Sequence, residues 1–171
     1  MPLPSRALLE RIRTEMLSAP QDASPLVHWP GAEVRRFRDD LYSMTPLPPH
    51  DPASCYRWDL REPLRLDKAG GILSATAVTG GGLRVAELAD AVDIRFRRGG
   101  ETLQPAGRRH HHRLKKLFQE WDVPDWERDR VPLVYRDGTL IAVAGLCVCE
   151  DFQAAKEQAG LDLHWSRPPE S

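Results

Sequence analysis

The sequence predicts an α+β fold, in which a β-rich, layered C-terminal domain with short helices follows the end of a helical domain. Three features predict it. Apolar residues keep a sustained helical spacing only near the start of the chain. From Leu26 onward the pattern changes to short runs bounded by Pro, Gly and Asp, the mark of strands joined by turns. Two brief helical periodicities then interrupt those runs in the last third.

The first element is a helix over residues 5–17. Leu8, Ile12 and Met16 recur at i, i+4 and i+8 beside Leu9 and Leu17, and Pro4 stands just ahead. No second helix nearby in sequence is there to cover its apolar face, as expected of a piece of a longer protein. Residues 19–25 break it. Residues 33–38 alternate, Asp39-Asp40 turns and residues 41–44 return, so a hairpin is predicted. Residues 45–52 contain Pro46, Pro48, Pro49 and Pro52 and form an extended connector. Residues 56–58, 64–66 and 72–78 read as strands, and residues 79–82 as a flexible tip.

The last section is mixed. Val92, Ile94 and Phe96 alternate with Asp93, Arg95 and Arg97, giving an amphipathic strand. Residues 98–101 turn. Residues 109–121 read as a helix, because Leu114, Leu117, Phe118 and Trp121 fall at i, i+3, i+4 and i+7. Pro124 suits the first turn of a second helix reaching Arg130. Residues 133–135 and 140–143 make a second hairpin around Arg136-Asp137-Gly138. Asp151 is placed to cap a closing helix through Gln158. Trp29, Trp58 and Trp165 are expected as core or domain-edge anchors, and Trp121 and Trp126 as residues that fix the short helices.

Composition excludes several classes. With 41% hydrophobic and 29% charged residues in a chain of 171, the protein has the balance of a soluble globular domain. No apolar run approaches the ~20 residues of a membrane span. The N-terminal residues lack the basic start and apolar stretch of a signal peptide. A soluble, cytoplasmic protein is expected. Cys55, Cys147 and Cys149 are too few for a zinc site of about four ligands, and are expected to be reduced residues in or near the core.

The net charge of -1 hides an uneven distribution. Between Ile94 and Phe118 stand Arg95, Arg97, Arg98, Arg108, Arg109, Arg113, Lys115 and Lys116, against the single acid Glu101. On the predicted helix Arg109, Arg113 and Lys116 fall opposite the apolar side, and the strand sends Arg95 and Arg97 to one face. Arg suits phosphate because its planar fork donates two parallel hydrogen bonds, while Lys supplies a point charge. Gly99, Gly100 and Gly107 let a phosphate backbone come near the main chain. From these residues alone two readings stay open: a nucleic-acid-binding surface, or a solvated charged face. His110, His111 and His112 cannot all face one ion on a helix, so they read as an exposed run that supplements the basic patch. Arg35, Arg36 and Arg38 form a smaller group, placed either to touch RNA or to pair with Asp39 and Asp40. Glu101, Glu120 and Asp125 have no nucleophile or metal cluster beside them, so they do not read as a catalytic set.

The order of residues carries more. Phe96-Arg97-Arg98-Gly99-Gly100-Glu101-Thr102-Leu103 is followed by Pro105-Ala106-Gly107 and Leu114-Lys115-Lys116-Leu117-Phe118-Gln119-Glu120. Val123-Pro124-Asp125-Trp126, Arg130-Val131-Pro132-Leu133-Val134-Tyr135 and Ile141-Ala142-Val143-Ala144-Gly145-Leu146 come next. This order resembles the C-terminal domain of bacterial tRNA(Ile)-lysidine synthases. Upstream, Leu3-Pro4-Ser5-Arg6 and Trp29-Pro30-Gly31-Ala32-Glu33-Val34-Arg35-Arg36-Phe37-Arg38 are similar to that family's segment between its helical middle domain and its C-terminal domain. Residues 108–112 depart from the family pattern, which is more often Gly- or Ser-rich there.

The resemblance implies an ATP-dependent carbon–nitrogen ligase that attaches lysine to the wobble cytidine of the AUA-reading tRNA(Ile), with the C-terminal domain holding the tRNA near its acceptor stem. The family's Ser-Gly-Gly-x-Asp-Ser phosphate loop has no counterpart here, since Gly80-Gly81-Gly82 leads into Leu83-Arg84. The chain is therefore expected to be inactive alone and to hold no cofactor, with ATP and magnesium belonging to an N-terminal ATP pyrophosphatase domain absent from it. On this reading residues 1–24 end the helical middle domain, 25–90 are a β-rich connection, 91–165 are the tRNA-binding domain and 166–171 are a frayed tail. The expected tRNA contacts are Arg95, Arg97, Arg98, Arg109, Arg113, Lys115, Lys116, Arg35 and Arg36. The expected partners are tRNA(Ile), the N-terminal catalytic domain and, as an open reading, a second copy of the chain; no membrane is expected. The alternative is a structural module whose task is to pack on the catalytic domain or a second subunit.

Overall fold

A computed structural model describes residues 2–20, 23–88 and 90–167. Two compact units divide the chain, one ending at Pro48 and the other beginning at Pro49.

The first unit opens with helix α1 (Arg6–Arg11), whose N-terminus is capped by the Ser5 hydroxyl, which accepts from the Leu8 N–H at 3.3 Å. The helix continues as a wider π turn over Ile12–Met16. Glu10–Arg13 and Arg11–Glu15 ion pairs lie on its solvent side, where such pairs add only a few tenths of a kcal/mol. The apolar side is covered, though not by a helix. Strands β1 (Leu26–Trp29), β2 (Ala32–Phe37) and β3 (Asp40–Met44) form an antiparallel sheet in the order β1-β2-β3. Leu8, Ile12 and Met16 pack with Val27, Val34 and Trp29, and Met16 is fully buried. The Trp29 indole donates to the Pro2 carbonyl at 3.1 Å.

Two expectations change in this unit. The β2–β3 turn falls on Arg38-Asp39, one residue earlier than expected, with Arg38 at φ 57° and Asp40 paired to Phe37. Arg36 is not displayed to solvent as a phosphate hook. Its guanidinium donates to the carbonyls of Met16 (2.6 Å), Ala19 (2.8 Å) and Pro20 (2.5 Å), so it closes the C-terminal end of the helix. Arg36→Ala would leave those carbonyls without this donor and is expected to cost about 2 kcal/mol. Faster amide hydrogen exchange over residues 12–17 is the check.

The second unit is built on two antiparallel sheets. Strands β4 (Tyr56–Trp58), β5 (Leu64–Leu66), β6 (Gly71–Thr79), β7 (Leu83–Arg84) and β8 (Val92–Arg95) come first. A short ribbon of β9 (Thr102–Leu103) and β10 (His112–Arg113) leads into helices α2 (Leu114–Glu120) and α3 (Asp125–Arg128). Strands β11 (Leu133–Arg136), β12 (Thr139–Val143), β13 (Cys147–Val148) and β14 (Ala159–Ser166) complete the unit. The larger sheet runs β13-β12-β11-β8-β4 and the smaller β5-β6-β14-β7.

Alternation along each strand makes the layers. On β11, Val134 joins Ile94, Leu73, Leu83 and Trp58 in a core shared with the smaller sheet, while Leu133 enters a second core with Leu114, Leu117 and Phe118 of α2. Ala142 and Val143 divide in the same way on β12. The predicted α+β, β-rich layered fold is the one observed. The β11–β12 turn is Asp137-Gly138 with φ of 47° and 80°, the two positive values that a tight type I′ hairpin demands. Trp58 donates to the Glu62 carbonyl at 2.7 Å, and Trp165 lies against Gly71, where a Cβ would come within 2.4 Å of its ring.

Three local expectations are corrected. Residues 109–113 are not helical, because His112 and Arg113 pair as a strand with Leu103 and Thr102, and the helix begins only at Leu114. The closing helix from Asp151 is replaced by one 3-10 turn, Glu150–Phe152, and then by β14, which lies between β6 and β7. Residues 80–82 are not a free tip: they turn tightly, and a Cβ on Gly80 would meet the Lys156 carbonyl oxygen at 2.3 Å. Of the expected frayed tail, Ser166 belongs to β14, Arg167 pairs with Glu127, and residues 168–171 lie outside the described residues. Among the described residues no helix is long and apolar enough to cross a membrane.

Candidate nucleic-acid interface

The loop between β8 and β9 is held by its own acid. The Glu101 carboxylate accepts from the Arg98 N–H at 2.6 Å and from the Gly99 N–H at 3.1 Å. Gly99 and Gly100 adopt φ of 100° and 89°, which only glycine takes without strain. Glu101 also ties the loop to the helix, since its carbonyl accepts from the Leu114 N–H at 2.9 Å. Arg113 sits across from Thr102 in the β9–β10 ribbon. The loop and the first turn of α2 are thus joined by main-chain pairing into one ledge.

Exposed cations line that ledge. Leu114, Leu117 and Phe118 face inward from α2, so Lys115 and Lys116 are left outside. Arg109 and Arg113 are exposed on the segment before it, and Arg98 on the loop. Among the described residues no acid pairs with Arg98, Arg109, Arg113, Lys115 or Lys116, although Lys116 contributes to the lowered pKa of Glu120, whose main cause is the Arg108 hydrogen bond. Arg108 is spent on that pair, at 2.7 Å. Arg98 turns its guanidinium to the carbonyls of Pro52 (3.5 Å) and Ala53 (3.2 Å).

The other expected contacts are differently placed. Arg97 pairs with Asp129 at 3.0 Å and keeps 22% of its side chain exposed. Arg95 pairs with Asp93 at 3.1 Å, which holds its pKa above the usual arginine value, and its guanidinium stacks on Tyr135 at 4.9 Å from the ring centroid. Arg35 and Arg36 belong to the first unit, where Arg35 pairs with the buried Glu33 at 2.7 Å and Arg36 caps the helix. The sequence reading overlooked Arg57, which also reaches Asp93 (3.3 Å) and shares it with Arg95, so that sheet face keeps a positive excess. Alternation in Tyr56-Arg57-Trp58 was the signal for it. Tyr135 has no local signal for this role; its position beside Arg95 depends on strand pairing between β8 and β11.

The thiols do not enter this chemistry. Burial pushes Cys147 up to about 11 and Cys149 up to about 12, so neither is a thiolate at neutral pH. Cys55 is exposed rather than near the core, and all three cysteines are free. Among the described residues no cluster of His, Cys, Asp or Glu could hold a metal ion.

A layered antiparallel scaffold carrying several exposed cations without acid ion-pair partners among the described residues is the equipment of a polyanion-binding module. Comparison with known proteins narrows the class. Residues 92–165 match the family model "TilS substrate C-terminal domain", and residues 1–42 match "TilS substrate binding domain". The tRNA(Ile)-lysidine synthase of Coxiella burnetii is 40% identical over 166 residues, covering 97% of this chain and 37% of that protein. The same enzyme of Methylococcus capsulatus is 38% identical, covering 95% of this chain and 37% of that protein. A crystal structure of a TilS C-terminal domain superposes with a TM-score of 0.53 at 24% identity, covering 69% of this chain and 100% of that one, and so supports the fold. The chain belongs to the tRNA(Ile)-lysidine synthase family and corresponds to its C-terminal part. It spans little more than a third of those relatives' length.

Proposed function

We propose that this chain is the tRNA-gripping module of a lysidine-forming ligase, holding tRNA(Ile) on its acceptor-stem side while the chemistry is performed elsewhere. The observation that carries this reading is the ledge of Arg98, Arg109, Arg113, Lys115 and Lys116, exposed and without acid partners beside a fixed glycine loop. An A-form stem has a deep, narrow major groove, so a protein grips it through its phosphates, its shape and its shallow minor groove. Arginines and lysines on a rigid ribbon and helix supply that grip without reading sequence. Arg95, Arg97 and Arg57, already sharing Asp93 and Asp129, contribute less to phosphate binding. In the whole enzyme, ATP, magnesium and lysine would be handled by an N-terminal ATP pyrophosphatase domain, and this module would hold no cofactor and be inactive alone. Gripping a distant stem raises the effective concentration of the anticodon loop at that domain. Such an enzyme would work in the cytoplasm, where its tRNA is.

Titration of tRNA at several salt concentrations tests the reading. If about four phosphates are neutralised, the log–log slope of affinity on salt is roughly -3 to -4. Absence of binding at low salt removes it. A second reading has its own support in the first unit, where Leu3 (92% exposed), Leu9 (53%) and Leu17 (65%) lie open. Those side chains suit packing against another domain or a second copy of the chain.

A further inference from the structure

The same loop that anchors the ledge also forms one wall of a cavity of about 340 Å³, lined by Cys55, Arg95, Phe96, Arg98, Glu101 and Tyr135. Its floor is an arginine–aromatic stack. The Arg95 guanidinium lies over the Tyr135 ring, 4.9 Å from the centroid, and Asp93 accepts from its Nη2 at 3.1 Å. Asp93 thus holds one nitrogen of the guanidinium while its central carbon sits over the ring. Cys55, which also lines the cavity, interacts with Arg95 as well, and 42% of the Arg95 side chain stays exposed. Arg98 borders the cavity with donors to spare after its two bonds to Pro52 and Ala53. Glu101 brings a carboxylate that is already fixed by two backbone N–H groups. The Tyr135 hydroxyl stays protonated, since burial and then the Glu101 charge hold it above the usual phenol range.

A flat cationic plane on an aromatic backing, a second guanidinium and an oriented carboxylate are complementary to a base, a phosphate and an exocyclic amine respectively. The cavity also joins the ledge, because Glu101 is bonded to Leu114 and Arg113 faces Thr102 across the ribbon. A duplex resting its phosphates on Arg113, Lys115 and Lys116 would bring a strand end to this cavity. We infer that the cavity floored by Arg95 and Tyr135 takes one unstacked nucleotide at the end of an RNA stem. This rests on the RNA-binding reading of the ledge and adds to it a site for an unpaired base.

The test compares RNA hairpins with one stem: blunt, or carrying a single unpaired 2-aminopurine nucleotide at the 3′ or the 5′ end. One base stacked on a protein surface contributes enough for about a tenfold preference for a tailed hairpin over the blunt one. The 2-aminopurine fluorescence is expected to be quenched on binding. Arg95→Gln should erase both the preference and the quenching, and Tyr135→Phe, which keeps the ring, should retain them. Lys116→Glu should weaken blunt and tailed hairpins alike. Equal affinity of the wild-type chain for blunt and tailed hairpins overturns the nucleotide site while leaving the ledge intact. A preference that survives Arg95→Gln overturns it as well. If neither hairpins nor tRNA bind at low salt, the RNA-binding reading itself has failed.

Discussion

Arg113→Glu combined with Lys116→Glu is expected to weaken tRNA binding by roughly 100-fold at low salt, two charge-assisted phosphate contacts being worth about 2–4 kcal/mol together. The salt slope should fall by about two, since two counterion-releasing contacts are lost. Stability should hardly change. Both side chains are exposed and unpaired with any acid among the described residues, and the buried face of α2 belongs to Leu114, Leu117 and Phe118. Electrophoretic mobility shift of tRNA at several salt concentrations, with circular dichroism as the folding control, makes the measurement. The result also separates the two functional readings. Were the module only a packing surface, affinity for tRNA would stay where it was, and the mass of the assembly or its association with the catalytic domain would change instead.

Gly160→Ala should be a strongly damaging small substitution in the second unit. Gly160 lies in β14, paired with Val78 on one side and Arg84 on the other. A Cβ there would stand 1.9 Å from the Gly81 carbonyl oxygen and 3.2 Å from the Ala154 Cβ. The backbone of Gly160 is not in the left-handed region, so the penalty is steric alone: the tight turn at Gly80, Gly81 and Gly82 would have to move off the strand. Forcing a methyl group against backbone costs about 3 kcal/mol, a fall in Tm on the order of 10 °C for a unit of this size. Differential scanning calorimetry reads it directly. Gly107 offers the contrast, because a Cβ there meets nothing within 4 Å and only its φ of 79° opposes a side chain. Gly107→Ala should cost about 1 kcal/mol.

Much of the architecture is written locally. The alternation of Val92, Ile94 and Phe96 with Asp93, Arg95 and Arg97 is a statement about which side of a strand is apolar, and the strand formed accordingly. Asp137-Gly138 specifies its hairpin because few residue pairs accept two positive φ values. Leu114, Leu117 and Phe118 announce a helix by spacing alone. The excess of cations between Ile94 and Phe118 is likewise a property of composition, independent of any fold. The pairing of Arg95 with Asp93 was legible too, since residues two apart on a strand share a face.

What was not legible depended on partners far away in the chain. Residues 109–113 carry no local signal against helix; the pairing of His112 and Arg113 with Leu103 and Thr102 claims their backbone first. Leu161, Leu163 and Trp165 alternate well enough for a strand, but only the flanking β6 and β7 make Ala159–Ser166 a central one. Arg36 became a helix cap through carbonyls up to 20 residues earlier, and Arg97 found Asp129 32 residues later. The sequence by itself determined the strand-and-helix alphabet of this protein and the amount of positive charge it carries. Only the tertiary structure decided which of those charges are left without an acid partner, because a charge is free or spent according to the neighbours that folding brings to it.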